Sequence, residues 1–92
     1  MLDTVDGQVT EIVDGDTFDM SIIDRGNHNK FTYNNRERIR IADVDKPELN
    51  TPQGRRSKDL LIRHLLHKQV QCHVEARDNY GRLVSKVKLV AR

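Results

Sequence analysis

Charged side chains of this sequence are concentrated in three short stretches whose composition suits work on a phosphate ester. The stretches are residues 14–17 (DGDT), 38–48 (RIRIADVDKPE) and 78–82 (DNYGR). Hydrolysis of a phosphodiester bond adds negative charge to a phosphate that is already anionic, so a catalyst needs a cation, fixed positive donors and a group that deprotonates water. The carboxylates and arginines of the three stretches can supply all of these.

Two aspartates are the candidate metal ligands. Asp16 and Asp45 offer hard carboxylate oxygens, which suit calcium, a cation that takes about six to eight oxygen ligands. An Asp-Gly pair on its own marks a hairpin turn, in which the Asp14 carboxylate bonds local backbone and Gly15 is the residue that tolerates a positive φ. The metal interpretation of residues 14–17 therefore depends on the other two stretches.

Each stretch lies at the end of a predicted strand. Short runs rich in β-branched residues predict strands, and the Asp, Asn and Gly residues between them predict turns. Thr51 as a cap and Pro52 as the first helical residue, followed by leucines at helical spacing, predict one helix. The strands are predicted at residues 9–13, 18–23, 31–44, 70–74 and 83–90, with the helix between the third and the fourth. This β-β-β-α-β-β order is that of an all-β fold, the five-stranded OB barrel, whose face and loops commonly bind oligonucleotides.

The long third strand raises a geometric problem for the candidate site. Ile39 and Ile41 lie on one face of this predicted strand, and Arg40 lies on the other. Strict alternation from Arg40 puts Asp45 on the opposite face, so a bulge or a strand end must intervene if both side chains line one site. We therefore predict an irregularity within residues 42–44.

Composition indicates a single domain over residues 1–92 of a soluble protein. The one cysteine, Cys72, excludes an internal disulfide framework and is expected in the core. Residues 1–30 carry seven acids and two bases, whereas residues 31–92 carry fourteen bases and seven acids. This split suits a cation site on one side and a polyanion on another, although a mixed surface of an ordinary soluble domain also explains it. We expect no signal peptide and no membrane segment in this sequence, and the compartment stays open because a secretory signal is removed from a mature chain.

Together the three stretches resemble the signature of the staphylococcal-nuclease family. Its usual forms are a DGDT turn, an R-x-R-L-x-x-x-D-x-P-E run and a Y-G-R turn, and the resemblance covers roughly residues 7–90. The resemblance implies a Ca²⁺ site whose protein ligands are Asp16, Asp45 and the backbone carbonyl of Lys46.

The resemblance also assigns the phosphate contacts and the base. Arg40 and Arg82 match the two arginines that grip the scissile phosphate in the family, a task that suits the planar guanidinium fork. Glu48 matches the general base or water-positioning carboxylate. Considered alone, Arg40 is also explained as an arginine on an exposed strand face, and Arg82 as the residue after a turn glycine. Glu48 is also explained as a surface glutamate.

By this resemblance the chain is a calcium-dependent nuclease that hydrolyses DNA, RNA or both with metal-activated water. The alternatives are a non-catalytic OB barrel that binds nucleic acid and a protein-interaction module that keeps the fold. The carboxylates combined with two arginines favour catalysis, since a binding barrel needs no such set. Two departures bear on activity: Lys46 stands where the family has a small residue, and only ten residues follow Arg82, where family members continue into helices. We therefore expect a chain truncated at its C-terminus, or a barrel surface covered by a second copy in a homodimer.

Overall fold

Five strands and one helix form a closed barrel in the computed structural model, which describes residues 2–26, 29–42 and 52–90. The elements are β1 (Asp3–Asp14), β2 (Thr17–Arg25), β3 (Arg36–Ile41), α1 (Pro52–Leu65), β4 (Gln69–Arg77) and β5 (Leu83–Leu89). The predicted order and the five-stranded OB-fold barrel are confirmed. The helix begins at Pro52, the residue predicted to start it.

Strand β1 closes the barrel because it pairs with two neighbours. Its first half pairs with β4, from Asp3 opposite Val74 to Gln8 opposite Gln69, and most of its length also pairs with β2. Register shifts along the β1–β2 pair add the bend that a closed sheet requires. Strand β3 completes the ring, since it pairs antiparallel with β2 and parallel with β5, which in turn pairs with β4.

The barrel interior is filled by side chains from several strands. Phe18 and Met20 on β2, Ile39 on β3 and Leu83 on β5 are fully buried. Leu65 in the last turn of α1 joins the same cluster, which packs the helix against the barrel. Burial of one side chain of this size stabilises the fold by about 1.5–3 kcal/mol. A few such contacts therefore decide whether a domain this small is folded.

All five strands differ in length from the predictions, and the differences are largest for β1, β3 and β4. Strand β4 ends at Arg77 rather than at residue 74. Strand β1 begins at Asp3 rather than at residue 9, because its first residues pair with β4, a partner that is distant in sequence. Strand β3 begins at Arg36 rather than at residue 31. Before it, the N–H of Phe31 donates to the Asp3 carboxylate at 2.8 Å. The N–H of Asn34 donates to the Glu37 carboxylate at 2.8 Å, so side chains take the backbone donors that a sheet ladder would use.

Cys72 lies in the core, as predicted. Its side chain is fully buried and its sulfur lies 3.9 Å from the sulfur of Met20. Burial raises the pKa of the Cys72 thiol to about 12, so the thiol stays protonated at neutral pH.

None of the helices within the described residues combines the length and the apolar character needed to cross a lipid bilayer.

Candidate functional site

The turn between β1 and β2 places Asp16 against Arg40. Thr17 lies opposite Arg40 in the β2–β3 pair, and the N–H of Ile41 donates to the Asp16 carbonyl oxygen at 2.7 Å. Asp16 is only 1% exposed. Its Oδ1 accepts a hydrogen bond from the Thr17 hydroxyl at 2.8 Å, and its Oδ2 lies 3.5 Å from Nε of Arg40. The fold therefore holds a buried carboxylate beside a partly exposed guanidinium.

The parallel pairing of β3 with β5 brings Arg82 to the same part of the barrel. Ile39 lies opposite Leu83 in this pair. Arg40 follows Ile39 on β3, and Arg82 stands one residue before the paired segment of β5. Asp16, Arg40 and Arg82 therefore come from three adjacent strand ends, although they are far apart in sequence.

The turn over residues 78–82 holds the side chain of Arg82. Asp78 accepts from the N–H groups of Tyr80 and Arg82 at 3.0 and 2.9 Å, and its Oδ2 accepts from Nε of Arg82 at 2.7 Å. Burial acts to raise the pKa of Asp78, but these hydrogen bonds outweigh it and hold the pKa below its usual value. Gly81 has a φ of 82°, a left-handed conformation that glycine adopts without steric cost. The guanidinium carbon of Arg82 lies 5.2 Å from the centre of the Tyr80 ring, within cation–π range.

The turn that carries Asp16 packs closely against α1. A Cβ atom added to Gly15 would stand 2.9 Å from Cβ of Ser57, closer than real side chains approach. Gly15 does not use the positive φ that a glycine tolerates, since the positive φ values among the described residues occur elsewhere. The close approach of the helix, not the turn conformation, is what requires glycine. Asp14 acts as the turn-forming acid, and its Oδ1 accepts from the N–H of Asp16 at 3.2 Å.

Half of the six predicted site residues lie outside the described residues. Asp45 and the backbone carbonyl of Lys46, predicted as metal ligands, and Glu48, predicted as the base, belong to the segment 43–51. Within the described ranges, no group of three or more His, Cys, Asp or Glu side chains is placed to hold a metal ion. The roles of all six residues stay predictions, as does the irregularity expected within residues 42–44, before which β3 ends.

Three further residues of this region were missed in the sequence. Thr17 bonds the Asp16 carboxylate, and Glu37 forms an ion pair with Arg77, with 3.1 Å between Oε1 and Nη1. A signal for Glu37 was present, because it has the same strand parity as Ile39 and alternation places it on the core face. A carboxylate buried there needs a partner. No local pattern identifies Arg77, since the pair joins β3 to β4.

Comparison with known proteins identifies the family. Residues 38–91 match the family described as staphylococcal nuclease homologue. The chain is 33% identical over 81 residues to a micrococcal nuclease of Shigella flexneri, and the aligned residues cover 88% of this chain and 41% of that protein. It is 38% identical over 50 residues to a probable staphylococcal-like nuclease of Oryza sativa subsp. japonica, which covers 54% of this chain and 13% of that protein. It is 30% identical over 81 residues to the protein ParB of Escherichia coli, which covers 88% of this chain and 40% of that protein.

The barrel and these matches define the class of protein. The family match covers more than half of the chain, and the chain belongs to the staphylococcal nuclease homologue family. Membership of this family supports a nuclease-type or nucleic-acid-related function. The chain spans 13% to 41% of the length of these three relatives.

Proposed function

We propose that this chain is a calcium-dependent nuclease that hydrolyses phosphodiester bonds of DNA or RNA. The observation that carries the proposal is the arrangement of Asp16, Arg40 and Arg82 on adjacent strand ends, in which a candidate cation ligand lies 3.5 Å from Nε of Arg40 and Arg82 directly precedes the strand that pairs with the strand of Arg40. The segment that matches the family, residues 38–91, contains five of the six proposed site residues. The described residues form one barrel, which supports a single domain over residues 1–92.

The proposed roles follow from the chemistry of each side chain. Arg40 and Arg82 hold the phosphate, since a guanidinium is always charged and donates two parallel hydrogen bonds to phosphate oxygens. Asp78 uses the Nε edge of Arg82, and the guanidinium has further N–H donors on its two terminal nitrogens. Glu48 accepts a proton from the attacking water or orients that water toward phosphorus.

The donor chemistry of the proposed cation site suits calcium. Asp16 supplies a hard carboxylate oxygen from a buried position, and Asp45 and the backbone carbonyl of Lys46 would supply two more oxygens. When bound, the cation would polarise the phosphate and make water more acidic. Nε of Arg40 lies 3.5 Å from Oδ2 of Asp16, so a phosphate bound by Arg40 would lie next to the cation ligands.

A second copy of the chain, or a further segment of a longer protein, is proposed to cover part of the barrel. Ile23 and Leu89 are 57% and 52% exposed and line a cavity of about 660 Å³. Apolar side chains exposed together often mark an interaction surface. Sedimentation equilibrium tests the homodimer, which a single species of 10.7 kDa at micromolar concentration would contradict.

Cleavage of matched single-stranded DNA and RNA oligonucleotides tests the nuclease proposal. We expect cleavage with calcium, and loss of cleavage with a chelator and in the Glu48→Gln and Arg82→Ala variants. Arg25→Ala is the matched control, because Arg25 is exposed and lies at the opposite end of β2 from Asp16, where it donates to Tyr33 and Asn35. Exposed polar contacts of this kind contribute little, so we expect this control to cleave within about 3-fold of the unchanged chain.

Different outcomes contradict different parts of the proposal. A folded chain that binds the oligonucleotides without cleaving them would contradict the nuclease activity and favour the non-catalytic binding barrel. Cleavage that persists in chelator would contradict the calcium requirement. Unchanged cleavage by Glu48→Gln would contradict its role with water, and circular dichroism of each variant checks that the fold is retained.

A further inference from the structure

Arg77 contacts three separate parts of the chain through one guanidinium group. It forms a bidentate pair with Glu37 on β3, with Nη1 to Oε1 at 3.1 Å and Nη2 to Oε2 at 3.3 Å. Nη1 also donates to the carbonyl oxygen of Gly81 at 2.9 Å, and Nη2 donates to that of Thr32 at 3.2 Å. One side chain therefore ties the turn that carries Arg82 to β3 and to the loop before β3.

Burial and additional hydrogen bonds hold this ion pair in one geometry. The Glu37 side chain is 4% exposed and the Arg77 side chain is 29% exposed. Oε2 of Glu37 also accepts from the N–H of Asn34 at 2.8 Å, so both carboxylate oxygens are engaged. The hydrogen bond to Glu37 raises the pKa of Arg77, which is therefore charged at every pH of interest. Shielded bidentate pairs are better defined than exposed ones.

We propose that Arg77 is a positioning residue for the nuclease reaction, which holds Arg82 in the orientation that receives the phosphate. This inference rests on the proposed function. Arg77 anchors the carbonyl of Gly81, the residue directly before Arg82, at the point where φ is 82°. The direction in which the chain enters Arg82 therefore depends on this contact. A displacement of about 1 Å in a phosphate-binding group can lower the rate by about 100-fold.

Arg77→Lys is the variant that tests this role most selectively. It keeps a positive charge beside Glu37 but cannot present a planar fork to all three partners at once. Arg25→Lys is the matched control, because Nη2 of Arg25 also donates to the residues before β3, to the Tyr33 carbonyl oxygen at 3.3 Å and to Oδ1 of Asn35 at 3.2 Å, and Arg25 lies outside the three stretches. We expect Arg77→Lys to lower kcat by about 10-fold to 100-fold with a smaller change in KM, and Arg25→Lys to change kcat by less than about 2-fold.

The same two substitutions in an Arg82→Ala background distinguish a loss of Arg82 positioning from a general loosening of the fold. Single-turnover cleavage with excess enzyme measures the residual rate. If Arg77 acts through Arg82, Arg77→Lys costs no further rate in this background, within about 2-fold. A further loss as large as that in the unchanged background would overturn the proposal.

Amide hydrogen exchange tests the same contact without any catalysis. The N–H of Gly81 donates to the Asp78 carbonyl at 3.0 Å, and the N–H of Asp78 donates to the Arg82 carbonyl at 2.9 Å. We expect these two amides to exchange at least about 10-fold faster in Arg77→Lys and at the unchanged rate in Arg25→Lys. Unchanged exchange in Arg77→Lys would overturn the positioning role even if cleavage were lost. Faster exchange in a chain that never cleaves would support the contact and overturn the nuclease function instead.

Discussion

Thr17→Val removes one hydroxyl from the buried part of the candidate site and keeps the shape of the side chain. Thr17 and Asp16 are each 1% exposed, and the hydroxyl donates to Oδ1 of Asp16 at 2.8 Å. Hydrogen bonds to charged groups contribute about 1.5–3 kcal/mol, so we expect the free energy of unfolding to fall by about 2 kcal/mol. For a domain of this size, each kcal/mol lowers Tm by about 4–8 °C, so Tm should fall by about 8–16 °C.

Urea unfolding at pH 7 with a chelator, followed by circular dichroism, measures the effect of this change. Thr17→Ser is the control, since it keeps the hydroxyl and loses one buried methyl group, which costs about 1 kcal/mol. In an Asp16→Asn background, Thr17→Val should cost at least about 1 kcal/mol less, because the acceptor is no longer charged. A cost below about 0.5 kcal/mol, or an equal cost in both backgrounds, would refute the inference that the hydroxyl stabilises the Asp16 carboxylate.

Three other perturbations test separate features of the structure. Gly15→Ala should lower the free energy of unfolding by about 1–3 kcal/mol, because the added Cβ would lie 2.9 Å from Cβ of Ser57; unchanged urea unfolding would contradict the close approach. Cys72 should react with a thiol reagent only when the chain unfolds, since it is fully buried and its pKa is raised to about 12; rapid labelling of the native chain would contradict this. The pKa of Asp78 in the folded chain lies below its ordinary value of 3.8, so its contribution to stability is complete above that value and is lost as the pH falls through the folded pKa. Asp78→Asn should therefore flatten the loss of stability below about pH 4, and identical acid-unfolding profiles would contradict the role of Asp78 as an acceptor.

The kinds of elements and their order could be predicted because the signals for them are local. Pro52 and the leucines after it indicate a helix through spacing within one segment, and the turn residues of 14–17 and 78–82 separate neighbouring strands. The lengths of β1 and β3 could not be predicted in this way. The extent of β1 depends on pairing with β4, and the start of β3 depends on hydrogen bonds that the Asp3 and Glu37 carboxylates accept from the preceding loop.

The candidate site also has one part that local sequence predicts and another that only the tertiary structure determines. The resemblance of three motifs to the family signature was enough to single out Asp16, Arg40 and Arg82, because each motif is contained within a few consecutive residues. Only the closed barrel makes the strands that carry or adjoin these residues neighbours, since β3 pairs with both β2 and β5. The ion pair of Glu37 and Arg77 also depends on the tertiary structure. It joins β3 to β4, and the helix separates these two strands in the sequence. Local chemistry is encoded by neighbouring residues, whereas contacts between distant strands exist only once the barrel has closed.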